Sequence, residues 1–174
     1  MTTKIYKNQP DERGAYMSRV FSFLPLVNDS SQALILGTLP GAESLRLQQY
    51  YAKKQNVFWR LFGCDPDEDY STRCDFILSR KLSLWDVYRS GERSGSADRK
   101  IRDGEPNDIA GLLTKYPNIN RILLNGRTAQ REYRRHFASS SIPAVYVPST
   151  SPAYAAMSFD EKKEAWEMAM GEFL

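Results

Sequence analysis

Four short apolar runs constrain this chain more than any other feature. They are residues 33–39 (ALILGTL), 82–88 (LSLWDVY), 121–125 (RILLN) and 144–147 (AVYV), each bounded by Gly, Pro, Asn or Ser. Their apolar residues run nearly unbroken instead of alternating. That is the signature of strands in a parallel sheet covered on both faces. Helical patterns lie between and after them. Residues 126–137 place Ala129, Tyr133 and Phe137 at i, i+4 and i+8, one buried stripe, with Arg127, Arg131, Arg134 and Arg135 largely on other faces. Ser158 and Glu161 form a capping box ahead of Trp166, Ala169, Met170 and Phe173, the apolar face of a C-terminal helix. Residues 69–81 and 107–116 read as helices too. Strands alternating with helices predict an α/β fold, a three-layer α/β/α domain around a short, four-stranded parallel sheet. At 174 residues the chain suits a single domain.

In open sheets of this kind, ligands bind beyond the carboxyl ends of the strands. The polar segments after the four runs, residues 37–44, 86–93, 125–127 and 148–154, are expected to line one cleft. Residues 90–104 (SGERSGSADRKIRDG) are polar, Gly/Ser-rich and basic. They read as a long loop, either functional or a plain surface excursion.

Composition narrows the function classes. No apolar run approaches the roughly 18 residues of a membrane span. The N-terminus, MTTKIYKNQPDERG, has no apolar h-region. Neither a membrane partner nor a signal peptide is expected, and a cytoplasmic location is the default. Two cysteines, Cys64 and Cys74, do not build a disulfide framework, a four-cysteine zinc site or an iron–sulfur cluster. His136 is the only histidine, so zinc sites built on several histidines are excluded. It is expected at the surface near the C-terminus of its helix, outside any catalytic site. A net charge of +3 permits nucleic-acid binding without indicating it. Five basic residues in or beside the long loop, Arg89, Arg93, Arg99, Lys100 and Arg102, raise that prospect.

Four segments carry candidate chemistry. Gly37-Thr38-Leu39-Pro40-Gly41 ends the first run; its glycines allow close backbone approach, and its N–H groups suit an anion or a base edge. A plain strand-to-helix turn is the alternative. It is no P-loop, since the Gly-Lys-Ser/Thr ending is missing. Residues 50–59 (YYAKKQNVFW) interleave aromatics, which stack on bases, with lysines, which meet phosphates. Within them Asn56 can position a water, read a base edge or cap the helix that follows. Asp86 closes the second run, where it can accept from a ring N–H or cap a turn. Pro148-Ser149-Thr150-Ser151-Pro152-Ala153-Tyr154 is a stiff loop bearing three hydroxyls, suited to phosphates or to a solvated connection.

In family order, LILGTLPGAES, YYAKKQNVFW, LSLWDVY, SADRKIRDGEPNDI, RILLNGRTA and VPSTSPAYA resemble the uracil-DNA glycosylase superfamily, and specifically its hypoxanthine-DNA (DNA-deoxyinosine) glycosylase branch. They cover most of residues 34–155; the first thirty residues, an N-terminal extension, carry no match. The resemblance implies a base-excision-repair hydrolase that flips a deaminated base out of DNA and cleaves its N-glycosidic bond. It implies no metal and no cofactor. The bond breaks with oxocarbenium character, so a positioned water and donors aimed at the leaving base are required.

Residue by residue, the carry-over is partial. Many superfamily members have an Asp or Asn just before the first-motif proline; here that position is Leu39. The deoxyinosine branch instead uses an Asn from the aromatic segment, which matches Asn56, the expected catalytic residue through water orientation. Asp86 stands where uracil-specific relatives read the pyrimidine edge, and would accept the N1–H of hypoxanthine. Gly37, Thr38 and Gly41 would contact the base and Tyr51 would wall it. Ser149, Thr150 and Ser151 match the phosphate-gripping part. Val147 replaces the last-motif His of uracil-specific enzymes, and Tyr154 is a stacking candidate or packs. The expected partner is DNA bearing the damaged base, and the expected state is a monomer. A pocket for uracil, xanthine or an alkylated base, a non-catalytic nucleobase-binding module, and an unrelated domain for a phosphorylated metabolite are the rival readings.

Overall fold

The computed structural model describes residues 18–93 and 101–171. In chain order its elements are β1 (Ser18–Phe21), β2 (Ala33–Gly37), α1 (Ala42–Leu47), α2 (Phe58–Leu61), α3 (Tyr70–Ser79), β3 (Leu82–Asp86), β4 (Tyr88–Arg93), β5 (Arg102–Pro106), α4 (Ile109–Lys115), β6 (Arg121–Asn125), α5 (Arg127–Phe137), β7 (Ala144–Val147) and α6 (Phe159–Met170). The four apolar runs form one parallel sheet in the order β3-β2-β6-β7. β2 is buried along its whole length, as an unbroken apolar run requires.

Alternate residues of that sheet feed two cores. Ala33 and Ile35 pack with Phe58, Trp59, Ile77 and Trp166 on one face. Leu34 and Leu36 pack with Ile109, Leu112 and Tyr133 on the other. Helices α2, α3 and α6 thus cover one side and α4 and α5 the other, the predicted three layers. Each fully buried Leu or Ile contributes about 1.5–3 kcal/mol to such a core. The cover stops at β7, an edge strand whose Ala144 and Val145 are exposed. The capping box forms: the Ser158 hydroxyl accepts from Glu161 N, and the Glu161 carboxylate accepts from Ser158 N. Trp166 and Met170 are fully buried behind it. Phe173, Arg99 and Lys100 lie outside the described residues.

The two ends of the stretch expected to be a loop belong to a second sheet, and residues 94–100 between them lie outside the described residues. β1, β4 and β5 pair antiparallel in the order β1-β4-β5. The second run therefore breaks at Val87, and its continuation joins this sheet. Side-chain pattern gave no hint, because YRSGER and RDGEP are polar and contain Gly. Backbone pairing, an Arg89–Glu105 ion pair at 2.7 Å and an aromatic hold them: the Tyr88 ring lies over Gly104, where a Cβ would sit 2.5 Å from Tyr88 Cε1. After β1 the chain bridges Leu26 to Leu84, covering the β3 edge of the main sheet. Among the described residues no helix is long and apolar enough to cross a membrane.

A buried polar contact ties β4 of the second sheet to helix α5. The Tyr88 hydroxyl donates to Glu132 Oε2 at 2.6 Å, and Arg131 Nε donates to Glu132 Oε1 at 2.6 Å. Burial raises the Glu132 carboxyl, but the Tyr88 and Arg131 bonds outweigh it and hold it below the ordinary range. Burial and Glu132 push the Tyr88 phenol up to about 12. His136 is half-buried, its ring 5.7 Å from that of Tyr88.

A carboxyl lowered on folding stabilises above its unfolded pKa and loses that contribution as pH falls through its folded pKa. Glu132→Gln is expected to lower Tm near neutral pH, with the gap to wild type closing below about pH 4. Melting curves across pH check this; a gap independent of pH would remove the ionic role.

Candidate functional site

The strand order places β2 between β3 and β6, so successive crossovers leave it in opposite directions. Such a switch point leaves a crevice at the carboxyl ends of β2 and β6. A cavity of about 710 Å³ opens there. All four expected segments reach it: residues 37–44, Asp86, Asn125 and residues 149–153, joined by 53–56, Tyr50, Tyr51 and Phe23. Val87 onward turns into the second sheet instead, and Arg127 faces the surface.

The first turn is pinned from behind. Val87 N donates to Gly37 O at 2.9 Å and Tyr88 N to Thr38 O at 3.1 Å. Gly37 is required for space: a Cβ there would sit 2.6 Å from Asp86 Oδ1. Arg93, expected from its charge to favour nucleic acid, is 2% exposed and donates to the carbonyls of Leu39 and Pro40. It is a brace under the turn, and Leu39 itself is buried. Thr38 lines the cavity, and its Oγ1 is buried without a hydrogen-bond partner among the described residues.

Asp86 ends β3 facing the cavity and is 5% exposed. The Ser22 hydroxyl donates to its Oδ2 at 2.9 Å, and Asn107 Nδ2 to its backbone carbonyl at 2.8 Å. Burial first, and the Asp86 charge second, push the Tyr50 phenol far above its ordinary range. Tyr50 therefore stays a neutral donor, to Leu24 O at 3.0 Å.

The aromatic segment divides its labour. Phe58 and Trp59 belong to the core. Tyr51 has a left-handed backbone, φ 53°, and stacks on Phe58 at 3.9 Å and 16°. Asn56 Oδ1 accepts from Phe58 N at 3.0 Å, at the start of the helix that follows, and the residue lines the cavity. An amide oxygen carries two lone pairs, so this bond leaves one for a water. Val57 N donates to Thr150 O at 3.1 Å, tying this segment to the last loop.

Asn125 joins the remaining parts. Its Nδ2 donates to Tyr51 Oη at 3.2 Å and Thr150 Oγ1 at 3.0 Å, and its Oδ1 accepts from Thr150 N at 3.0 Å. Thr150, expected to grip a phosphate, is 1% exposed, with its hydroxyl and N–H both turned to Asn125. The N–H groups of Ser151, Ala153 and Tyr154 also bond within the loop. Outward contact is thus left to the half-buried Ser149 and Ser151. Ser149 abuts Gly126, whose φ of 98° and 3.0 Å Cβ clearance exclude a side chain. Tyr154 lies outside the cavity lining, with Lys162 Nζ 5.2 Å over its ring. Among the described residues, no group of three or more His, Cys, Asp or Glu side chains is placed to hold a metal ion.

Sequence reasoning placed Asn125 at the cleft without giving it a role, and missed Ser22, Phe23 and the bracing role of Arg93. The carboxyl end of the third run signalled Asn125 by position alone. The others depend on pairings more than fifty residues apart, such as Arg93 with Leu39, which no local pattern encodes.

Residues 24–170 match the Uracil DNA glycosylase superfamily. A hypoxanthine DNA glycosylase of Methanosarcina acetivorans is 37% identical over 150 residues, 83% of this chain and 94% of that protein. Its counterpart in Methanosarcina barkeri is 35% identical over 152 residues, 84% of this chain and 95% of that protein. The solution NMR structure of a Methanosarcina acetivorans protein, described as a candidate uracil DNA glycosylase, superposes with a TM-score of 0.78. It is 34% identical and covers 90% of this chain and 99% of its own.

Asn125→Leu removes three hydrogen bonds and strands buried Thr150 groups. It is expected to cost about 1–3 kcal/mol of unfolding free energy. Urea denaturation measures this; an unchanged midpoint would mean that the last loop is held by other contacts.

Proposed function

The chain belongs to the uracil DNA glycosylase superfamily, and we propose that it hydrolyses the N-glycosidic bond of hypoxanthine in DNA. One observation carries the reading: a buried carboxylate, Asp86, and a buried hydroxyl without a partner among the described residues, Thr38 Oγ1, line the same cavity. Hypoxanthine presents a ring N1–H donor beside an O6 acceptor. Asp86 accepts the first, and the Thr38 hydroxyl donates to the second. The names of the two Methanosarcina relatives support this choice of base.

The nucleotide leaves the duplex at a cost of a few kcal/mol and enters the cavity. Ser149 and Ser151, with Lys53 at the mouth, meet flanking phosphates. The base lies against Tyr51 and the backbone of Gly37 and Gly41. As the C1′–N9 bond breaks, its electron pair passes to the base and the sugar becomes cationic. A water oriented by Asn56 attacks C1′. Its oxygen becomes the sugar hydroxyl, and the proton that it releases neutralises the departing base anion. An amide is a poor base, so Asn56 positions the water without abstracting its proton. Stabilisation of the leaving base falls to donors such as the Thr38 hydroxyl, since Val147 is fully buried and apolar. The protein acts as a single-domain monomer in the cytoplasm, on DNA.

Labelled duplexes containing deoxyinosine, uracil, xanthine or a normal base, cleaved by alkali after incubation, test the reading. Strand cleavage at deoxyinosine is expected. If folded protein cleaves no duplex or single strand, the chain is a binding module instead. Asn56→Ala should slow excision about 100-fold, the scale of a misplaced reactant, with DNA affinity nearly unchanged. Wild-type rates in that variant would remove Asn56 from catalysis. Asp86→Ala should change the order of preference among bases more than affinity for undamaged DNA, and an unaltered order would deny it the reader role.

A further inference from the structure

Helix α6 holds the last loop at both ends. Trp166 Nε1 donates to Pro148 O at 2.9 Å, and Lys162 Nζ donates to Tyr154 O at 2.7 Å. The two residues are four apart, so they stand one above the other on the same helix face. Between the two carbonyls lie the half-buried Ser149 and Ser151, and Tyr154 N closes a turn on Ser151 O at 3.0 Å. Lys162 itself is not part of the cavity lining.

The two anchors differ in cost. Trp166 is an apolar ring with one N–H, and it belongs to the core. Lys162 carries an ammonium, yet it is 5% exposed. A lysine is almost never buried to that degree without a counter-ion. Among the described residues its partners are the Tyr154 carbonyl and, 5.2 Å away, the Tyr154 ring; no carboxylate pairs with it. Burial lowers the pKa of the ammonium, with no neighbouring negative charge to raise it. A neutral donor would hold the Tyr154 carbonyl at less cost, so the charge needs a reason of its own.

We infer that Lys162 is a positioning residue for DNA: its buried charge stands behind the last loop and draws a backbone phosphate onto Ser149 and Ser151. The inference rests on the glycosylase reading above, which brings DNA to this loop. A hydrogen-bonded turn keeps its end residues within about 7 Å, so the ammonium on Tyr154 acts on Ser151 over a distance comparable with the Debye length, about 8 Å at physiological salt. A buried charge is also screened less than an exposed one. The ammonium is already out of water, so its pull on an arriving phosphate is not offset by fresh desolvation. It needs no contact with the phosphate, because the loop it anchors makes that contact.

The test is single-turnover excision of deoxyinosine from a duplex, with protein titrated in excess at several salt concentrations. Lys162→Gln removes the charge but keeps an N–H donor for Tyr154 O, and Lys162→Met removes both. In each variant the half-saturating protein concentration at low salt should rise about tenfold. The saturating rate should stay within about twofold of wild type. The log–log dependence of affinity on salt should become shallower by about 0.9, the share of one phosphate. Thermal melting should find Lys162→Gln no less stable than wild type, since a buried charge has been removed. A merely structural brace behaves differently: Lys162→Gln keeps its affinity, and Lys162→Met loses the same factor at every salt concentration. An unchanged salt slope in folded Lys162→Gln therefore overturns the inference and leaves the glycosylase reading intact; the slope of Lys162→Met decides if Lys162→Gln does not fold. Wild type that releases no base from deoxyinosine sinks the glycosylase reading itself.

Discussion

Everything in this structure is organised around one strand that has no surface. β2 is buried on both faces and pairs with β3 on one edge and β6 on the other. Its backbone groups are satisfied by two ladders, and its side chains divide between two cores. A strand so enclosed cannot shift register, because a slip of one residue would exchange the cores. Gly37 is therefore delivered to a fixed point. The turn after it meets Asp86 from β3 on one side and Asn125 from β6 on the other.

The rigidity of the cleft is mainly polar. Asn125 binds Tyr51 and Thr150 together, Val57 closes on Thr150, and Arg93 holds two carbonyls of the first turn. Buried groups of this kind are costly when one partner is lost, which makes them specific. The apolar core supplies stability; these bonds decide where Asn56, Tyr51 and Asp86 stand. The second sheet extends the same scheme, since β4 carries Arg93 and is anchored to α5 through Tyr88 and Glu132.

The parts legible in the sequence are those governed by local pattern. The apolar runs gave the parallel sheet, the i, i+4 spacing of Ala129 and Tyr133 gave α5, and Ser158 with Glu161 gave the start of α6. Once the strands were placed, the rule that ligands sit at their carboxyl ends placed the cleft. The polar strands β4 and β5 stayed hidden because pairing, not composition, makes them strands. Charge alone also misled at Arg93, whose carbonyl partners lie more than fifty residues away. The hydroxyls of the last loop looked alike in sequence, and only the fold turns Thr150 inward.

The pairing of β1 with β4 has a consequence for the order of assembly. Ser18 meets Arg93 and Phe21 meets Ser90, partners roughly seventy residues apart. Closing so long a loop is entropically expensive, and contacts of that range form late. On a ribosome, the segment holding Ser22 and Phe23 emerges well before β4 and waits for it before it has a place to lie. Part of the cavity wall thus precedes its partner strand by nearly seventy residues and is among the last parts to settle. The cleft is complete only when the protein is, so a nascent or partly folded chain has no finished cavity at the carboxyl ends of its strands.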